Sequence, residues 1–159
     1  MRRQDREVKD INKIVDILKR SDRAILAFNG EKTPYILPVN IGVEYKDEKL
    51  ILYFHGAKTG TKYKYIKEDA LVSFEADTDL ELVTIMEKGY CTMNYSSVIG
   101  YGIIHEITEY DKKEKALQIL CESFHLDDNF KYNRKAIDRT SVFGIEVLEV
   151  RGKEKRWKK

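Results

Sequence analysis

Between residues 23 and 55 three apolar, β-type runs follow one another almost without interruption: RAILAFN (23–29), PYILPVNIGVEY (34–45) and LILYFH (50–55). Only short polar stretches separate them, the first containing the turn dipeptide Asn29-Gly30 and the second reading KDEK. Neighbouring parallel strands need a crossover of about a dozen residues, usually a helix, so this spacing closes antiparallel hairpins and excludes a doubly wound α/β sheet. The three runs are expected to form a meander, the third pairing with the second. Pro38 lies inside the second run and cannot donate a ladder hydrogen bond. That strand must therefore bulge, lie at an edge, or open towards something other than its neighbour.

The same grammar continues downstream. ALVSFEAD (70–77) and VFGIEVLEV (142–150) read as strands, and CTMNYSSVIGYGIIHEITEY (91–110) reads as one long strand that Gly100 and Gly102 allow to bend. Residues 78–90 fit strand or helix equally, and TKYKYIKED (61–69) suits a short helix. Ile11, Ile14, Val15 and Leu18 follow helical spacing behind a capping Asp10. A second helix is expected over 111–124, capped by Asp111, with Leu117, Leu120, Cys121 and Phe124 on one face, and helix again to about Arg139. The expected fold is mainly β (α+β), a six-stranded antiparallel barrel with peripheral helices. One domain spans 1–152, and 153–159 form a basic tail that includes Trp157, read as frayed.

Composition removes several function classes. The 159 residues carry 29 basic and 27 acidic side chains, a net charge of +2, which gives no electrostatic case for nucleic acid. No stretch approaches the roughly 18 apolar residues of a membrane span, and the opening MRRQDREVKD lacks a signal-peptide core, so a cytoplasmic protein without a membrane partner is expected. Cys91 and Cys121 have no CxxC or His-pair spacing; both read as small core residues, and no metal site is expected. His105 and His125 read as structural, outside any haem-attachment motif. Neither paired carboxylates nor a nucleophile triad can be picked out.

Chemistry concentrates in LYFHGAKTGTKYKYI (52–66). Gly56 and Gly60 would let backbone approach an anion, Thr59 and Thr61 offer hydroxyls, and Lys58 and Lys62 offer charge, which together suit a phosphate. A lysine-rich surface turn accounts for the same residues. A P-loop does not, because only three residues separate the glycines and Thr61 intervenes before Lys62.

Taken in order, YILPVNIG, YFHGAKTGTK and NYSSVIGYG resemble the flavin-binding split-barrel family, in its nitroimidazole-resistance and pyridoxamine 5'-phosphate oxidase-like branch. The likeness spans roughly 2–152. It implies a split β-barrel and a homodimer with FMN at the interface. Leu37, Pro38, Val39 and Asn40 would run along the flavin ring; His55, Gly56, Ala57, Thr61 and Lys62 would hold the ribityl chain and phosphate; Tyr95, Ser97 and Val98 would come from the other subunit. The family often carries arginine inside this Tyr-x-Ser-Val motif, where this chain has Ser96. His55 resembles a histidine close to the flavin and is the candidate catalytic residue, a histidine hydrogen-bonded to backbone at a strand end being the alternative; Tyr53 and Tyr95 are the tyrosines close enough in sequence to be candidates for stacking at the site. The implied activity is electron transfer through FMN to a small-molecule substrate, for instance a nitroaromatic, with a nicotinamide coenzyme as possible electron donor. A flavin-binding or redox-sensing module without turnover is the alternative.

Overall fold

The computed structural model describes residues 3–67, 69–124 and 130–157. Its elements run β1 (Glu7–Val8), α1 (Ile11–Arg20), β2 (Ala24–Phe28), β3 (Tyr35–Val39), β4 (Gly42–Lys46), β5 (Lys49–Ala57), β6 (Ala70–Ile85), β7 (Tyr90–Ile107), α2 (Tyr110–Glu122), α3 (Arg134–Arg139) and β8 (Thr140–Lys155). All pairings are antiparallel, in the order β3-β2-β6-β7-β8-β5-β4, with β1 added on β8. The sheet thus has eight strands rather than six. The difference arises mainly because the run 34–45 is two strands, β3 and β4, and because β1 joins β8.

Those two strands are the ends of the main strand path, yet only Asn40 and Ile41 separate them in the chain. From Val39 to Gly42 the backbone can reach about 11 Å at most. The sheet must therefore curl until its ends nearly meet, leaving a split between β3 and β4. The predicted meander is corrected accordingly. β2 pairs with β3 and β4 with β5, but β3 and β4 do not pair with each other. Pro38 lies on the edge strand, opposite Ile25, where its missing N–H costs nothing.

The inward side chains close around α1. Asp10 caps this helix through the Asn12 N–H, and Ile14, Ile17 and Leu18 join Leu26, Phe54, Phe74, Val98, Ile104, Phe143 and Ile145 in one buried cluster. A second cluster forms outside the sheet, where Leu117 of α2 and Ile137 of α3 pack with Tyr53 and Val142. The cap of α2 lies two residues earlier than predicted: Glu109 is the N-cap residue and Asp111 lies in the first turn. Leu117, Leu120 and Cys121 are buried as expected, whereas Phe124 is exposed, as is Cys91 near the tip of the β6–β7 ribbon. The ambiguous stretch 78–90 is strand to Ile85 followed by the 3-10 turn Met86–Lys88. β8 continues to Lys155, and the Trp157 N–H donates to Asn94 Oδ1 at 2.6 Å, so as far as Trp157 the basic segment lies along β7, and Trp157 is bonded there rather than frayed. His125 lies outside the described residues.

The bend expected at Gly100 and Gly102 is a register shift between Tyr101 and Gly102 in the β7–β8 ladder. A Cβ at Gly102 would lie 2.3 Å from the Glu146 carbonyl oxygen, with rigid backbone on both sides. Gly102→Ala is expected to cost about 2–3 kcal/mol, read as a lowered urea midpoint. An unchanged midpoint would mean that the strands part freely there.

Candidate functional site

The split brings two walls to one end of the sheet. The first is β3, which pairs only with β2 and leaves its other edge free along Leu37, Pro38 and Val39. Asn40 ends this wall, and its Nδ2 donates to the Asp22 carbonyl at 2.8 Å, fastening the β3–β4 junction to the start of β2. The second wall is the end of β5. Gly42 faces Tyr53, so Asn40, two residues before it, and His55, two residues after, leave the β4–β5 pairing at the same end. Tyr35 of β3 stacks on Tyr65 beyond β5, with ring centroids 4.4 Å apart, which ties the walls together at their far ends.

The turn after β5 is built around Lys62. Gly60 has φ +117°, a conformation that favours glycine, and leads into the 3-10 turn Thr61–Lys64. The Lys62 side chain lies across Gly56, where a Cβ would sit 3.3 Å from its Cε. Its ammonium donates to the Ala57 carbonyl and, at 2.9 Å, to the Thr59 carbonyl, and lies 4.5 Å from the Tyr63 ring centroid. Tyr63 is anchored by a 2.5 Å hydrogen bond with the buried Ser141 hydroxyl. An ammonium held by two carbonyls over a bare glycine is a charge already in place that can exchange those acceptors for phosphate oxygens. These residues fit a phosphate monoester.

His55 is exposed near the end of β5, and its side chain makes no hydrogen bond among the described residues. Partial desolvation holds its imidazole below the ordinary pKa, so near neutral pH it is uncharged and can either donate or accept a hydrogen bond. Tyr53, two residues before His55 on β5, lies on the same face of the strand. It is buried under α2 and donates to Glu44 Oε2 at 2.7 Å, and Lys115 reaches the other oxygen of that carboxylate at 2.5 Å. Burial raises the Tyr53 pKa, so it remains a neutral hydrogen-bond donor and stands outside the groove. Sequence reasoning missed the Tyr35–Tyr65 stack and the role of Ser141; neither carries a local signal, because each contact joins segments distant in sequence.

Tyr95, Ser97 and Val98 do not join the groove of their own chain. His55 faces Val142, and Val142 faces Ile107; Tyr95 lies twelve residues further along β7. At about 3.3 Å per residue this approaches 40 Å along the strand. Val98 is fully buried within the chain, while Tyr95 and Ser97 alternate onto the outer face. That face carries exposed apolar side chains on several strands, interrupted by Ser73 and Glu75 on β6. Ile36, Ala27, Ser73 and Tyr101 form one transverse row, and Pro38, Ile25, Glu75 and Ile99 the next. Ile36, Ile99 and Tyr101 are 52%, 61% and 39% exposed, an unusual amount of apolar side chain for a surface that meets only water.

A curled antiparallel sheet split between consecutive strands, with a lysine-bearing glycine turn at the split, defines a split-barrel protein. The sequence profile of the pyridoxamine 5'-phosphate oxidase family matches residues 10–154, and the chain belongs to that family. Among proteins of curated function none matches the sequence significantly. Similar folds include a candidate 5-nitroimidazole antibiotic resistance protein from Bacteroides thetaiotaomicron, with TM-score 0.79 and 23% identity over 93% of this chain and 86% of that one. A flavocytochrome from Azotobacter vinelandii superposes with TM-score 0.78 and 18% identity, covering 99% of this chain and 72% of that chain. An FAD-binding protein from Mesorhizobium loti gives TM-score 0.63 and 20% identity, covering 95% and 98%.

Proposed function

We propose that the protein is an FMN-dependent oxidoreductase that works as a homodimer. The observation that carries this reading is the pre-placed Lys62 ammonium over Gly56, at the end of the groove whose other wall is the free edge of β3. Lys62 and Thr61 would bind the phosphate, and the main chain of Leu37 to Asn40 would meet the ring edge. Bound flavin supplies electron-transfer chemistry that no side chain in the groove offers. His55 would orient the ring or the acceptor as a neutral hydrogen-bonding partner. Tyr95 and Ser97 would reach a groove only on a second copy, with Val98 anchoring their strand in its own core, and the rows containing Ile36, Pro38, Ile99 and Tyr101 supply a face on which that copy can pack, ending at the β3 edge.

The resistance-protein relative makes a nitroaromatic the first acceptor to try, with a nicotinamide coenzyme as donor. The test is an absorbance scan after reconstitution, identification of the released species, and turnover with both substrates. A colourless protein refutes flavin binding, release of FAD corrects the cofactor, and bound FMN without acceptor-dependent turnover leaves a binding module. His55→Ala is expected to change turnover or the bound-flavin spectrum while moving stability by less than about 0.5 kcal/mol, as for an exposed side chain. If only the melting temperature moves, His55 is structural.

A further inference from the structure

Beyond Asp79 the β6–β7 pair leaves the rest of the sheet. β2 last pairs with β6 at Glu75 and β8 last pairs with β7 at Tyr95, so the strands from Glu81 to Ile85 and from Tyr90 to Asn94 are ladder partners of each other alone. A two-stranded ribbon has little stability of its own. This one begins with a register shift between Thr78 and Glu81, where Asp79 has φ +60°, uncommon for a residue with a side chain. It also carries Leu80, Leu82 and Met93, which are 64%, 63% and 43% exposed.

Four segments meet at the Asp79 carboxylate. Arg20 at the end of α1 donates to Oδ1 at 2.5 Å, and Arg156, just past β8, donates to Oδ2 at 2.5 Å. Arg156 also donates to the buried Ser96 hydroxyl on β7 at 2.9 Å, and the Thr78 hydroxyl donates to the Arg20 carbonyl at 3.2 Å. The two guanidiniums hold the Asp79 carboxyl well below the ordinary carboxylate range, so the junction stays charged at any working pH.

We propose that Arg20, Asp79 and Arg156 form a positioning clamp that sets the angle at which the ribbon leaves the sheet, and hence where Leu82, Met93 and Tyr95 meet a second copy. Exposed ion pairs add little to stability one by one. Here the two guanidiniums grip one carboxylate at the bulge itself, and what they fix is direction. Leu82 and Met93 are cross-strand partners, and Tyr95, two residues after Met93 on β7, continues the same face. A change of angle at Asp79 therefore moves the whole stripe. The ribbon's contribution to the partner's groove rests on the homodimer and flavin reading above, while the clamp itself can be judged without it.

The test compares wild type, Asp79→Asn, Arg156→Ala and the double variant by amide hydrogen exchange over residues 80–93 without flavin and by FMN titration. Asparagine tolerates a positive φ, so Asp79→Asn removes the charge without adding backbone strain. Each single variant is expected to speed ribbon exchange about tenfold and to weaken FMN binding about tenfold, with Arg156→Lys in between. The double variant should be no worse than either single one, because both break the same clamp. Unchanged ribbon exchange in both single variants, or additive effects in the double, overturns the clamp. Failure of wild type to take up FMN refutes the functional reading instead, and the exchange data still decide the clamp.

Discussion

Replacing Ile99 and Tyr101 together with glutamate is expected to yield a folded, monomeric protein that no longer retains flavin. In one chain these side chains are 61% and 39% exposed and point away from the cluster around α1, so charge there meets water and the fold keeps its core. In a dimer packed on the same face the carboxylates would be buried against Ile36, Pro38 and their counterparts. An unpaired charge in such a place costs several kcal/mol, enough to dissociate a contact of ordinary size. Flavin is lost with the partner because Tyr95 and Ser97 are too far along β7 to serve their own groove. Sedimentation velocity gives the mass and visible absorbance gives the flavin. A dimer that persists in the variant would place the contact elsewhere. Wild-type protein that holds flavin as a single chain would remove the need for a partner.

The sequence displayed the features that act locally and concealed those that depend on register. Pro38 narrowed its strand to a bulge, an edge or an opening because its missing N–H constrains any ladder, and Gly100 and Gly102 announced a bend that the fold realises where nothing larger fits beside the backbone of β8. Asp10 and the 3.6-residue spacing after it located α1 to the residue. The break at Asn40 and Ile41 left no such mark, since PVNIG continues an extended pattern whichever neighbour each half pairs with; only the closed order of the sheet separates β3 from β4. Residues 78–90 were ambiguous for a related reason: a bulge at Asp79 interrupts the two-residue alternation, so the strand beyond it reads out of phase. Ser96 read as a missing charge. In the fold Arg156 brings its guanidinium to that hydroxyl from sixty residues away, a contact that no local motif could encode.

Lys62→Glu is the complementary variant, expected to weaken FMN binding by a factor of about 10²–10³ while leaving the dimer intact. The native ammonium is held by the Ala57 and Thr59 carbonyls and needs only to change acceptors to meet a phosphate. Charge-assisted bonds of this type are roughly twice as strong as neutral ones, and reversing the sign sets a carboxylate both against those carbonyls and against the dianion that should approach them. Lys62→Ala removes the attraction without adding repulsion and should fall between the two, near a tenfold loss. Neither change reaches the rows around Ile99, so subunit mass should stay as in wild type. That separates the two determinants: one variant abolishes cofactor retention by removing the partner, the other by spoiling the phosphate turn with the partner still present. Titration of FMN into Lys62→Glu with wild-type affinity would show that the ammonium serves only to close its own turn.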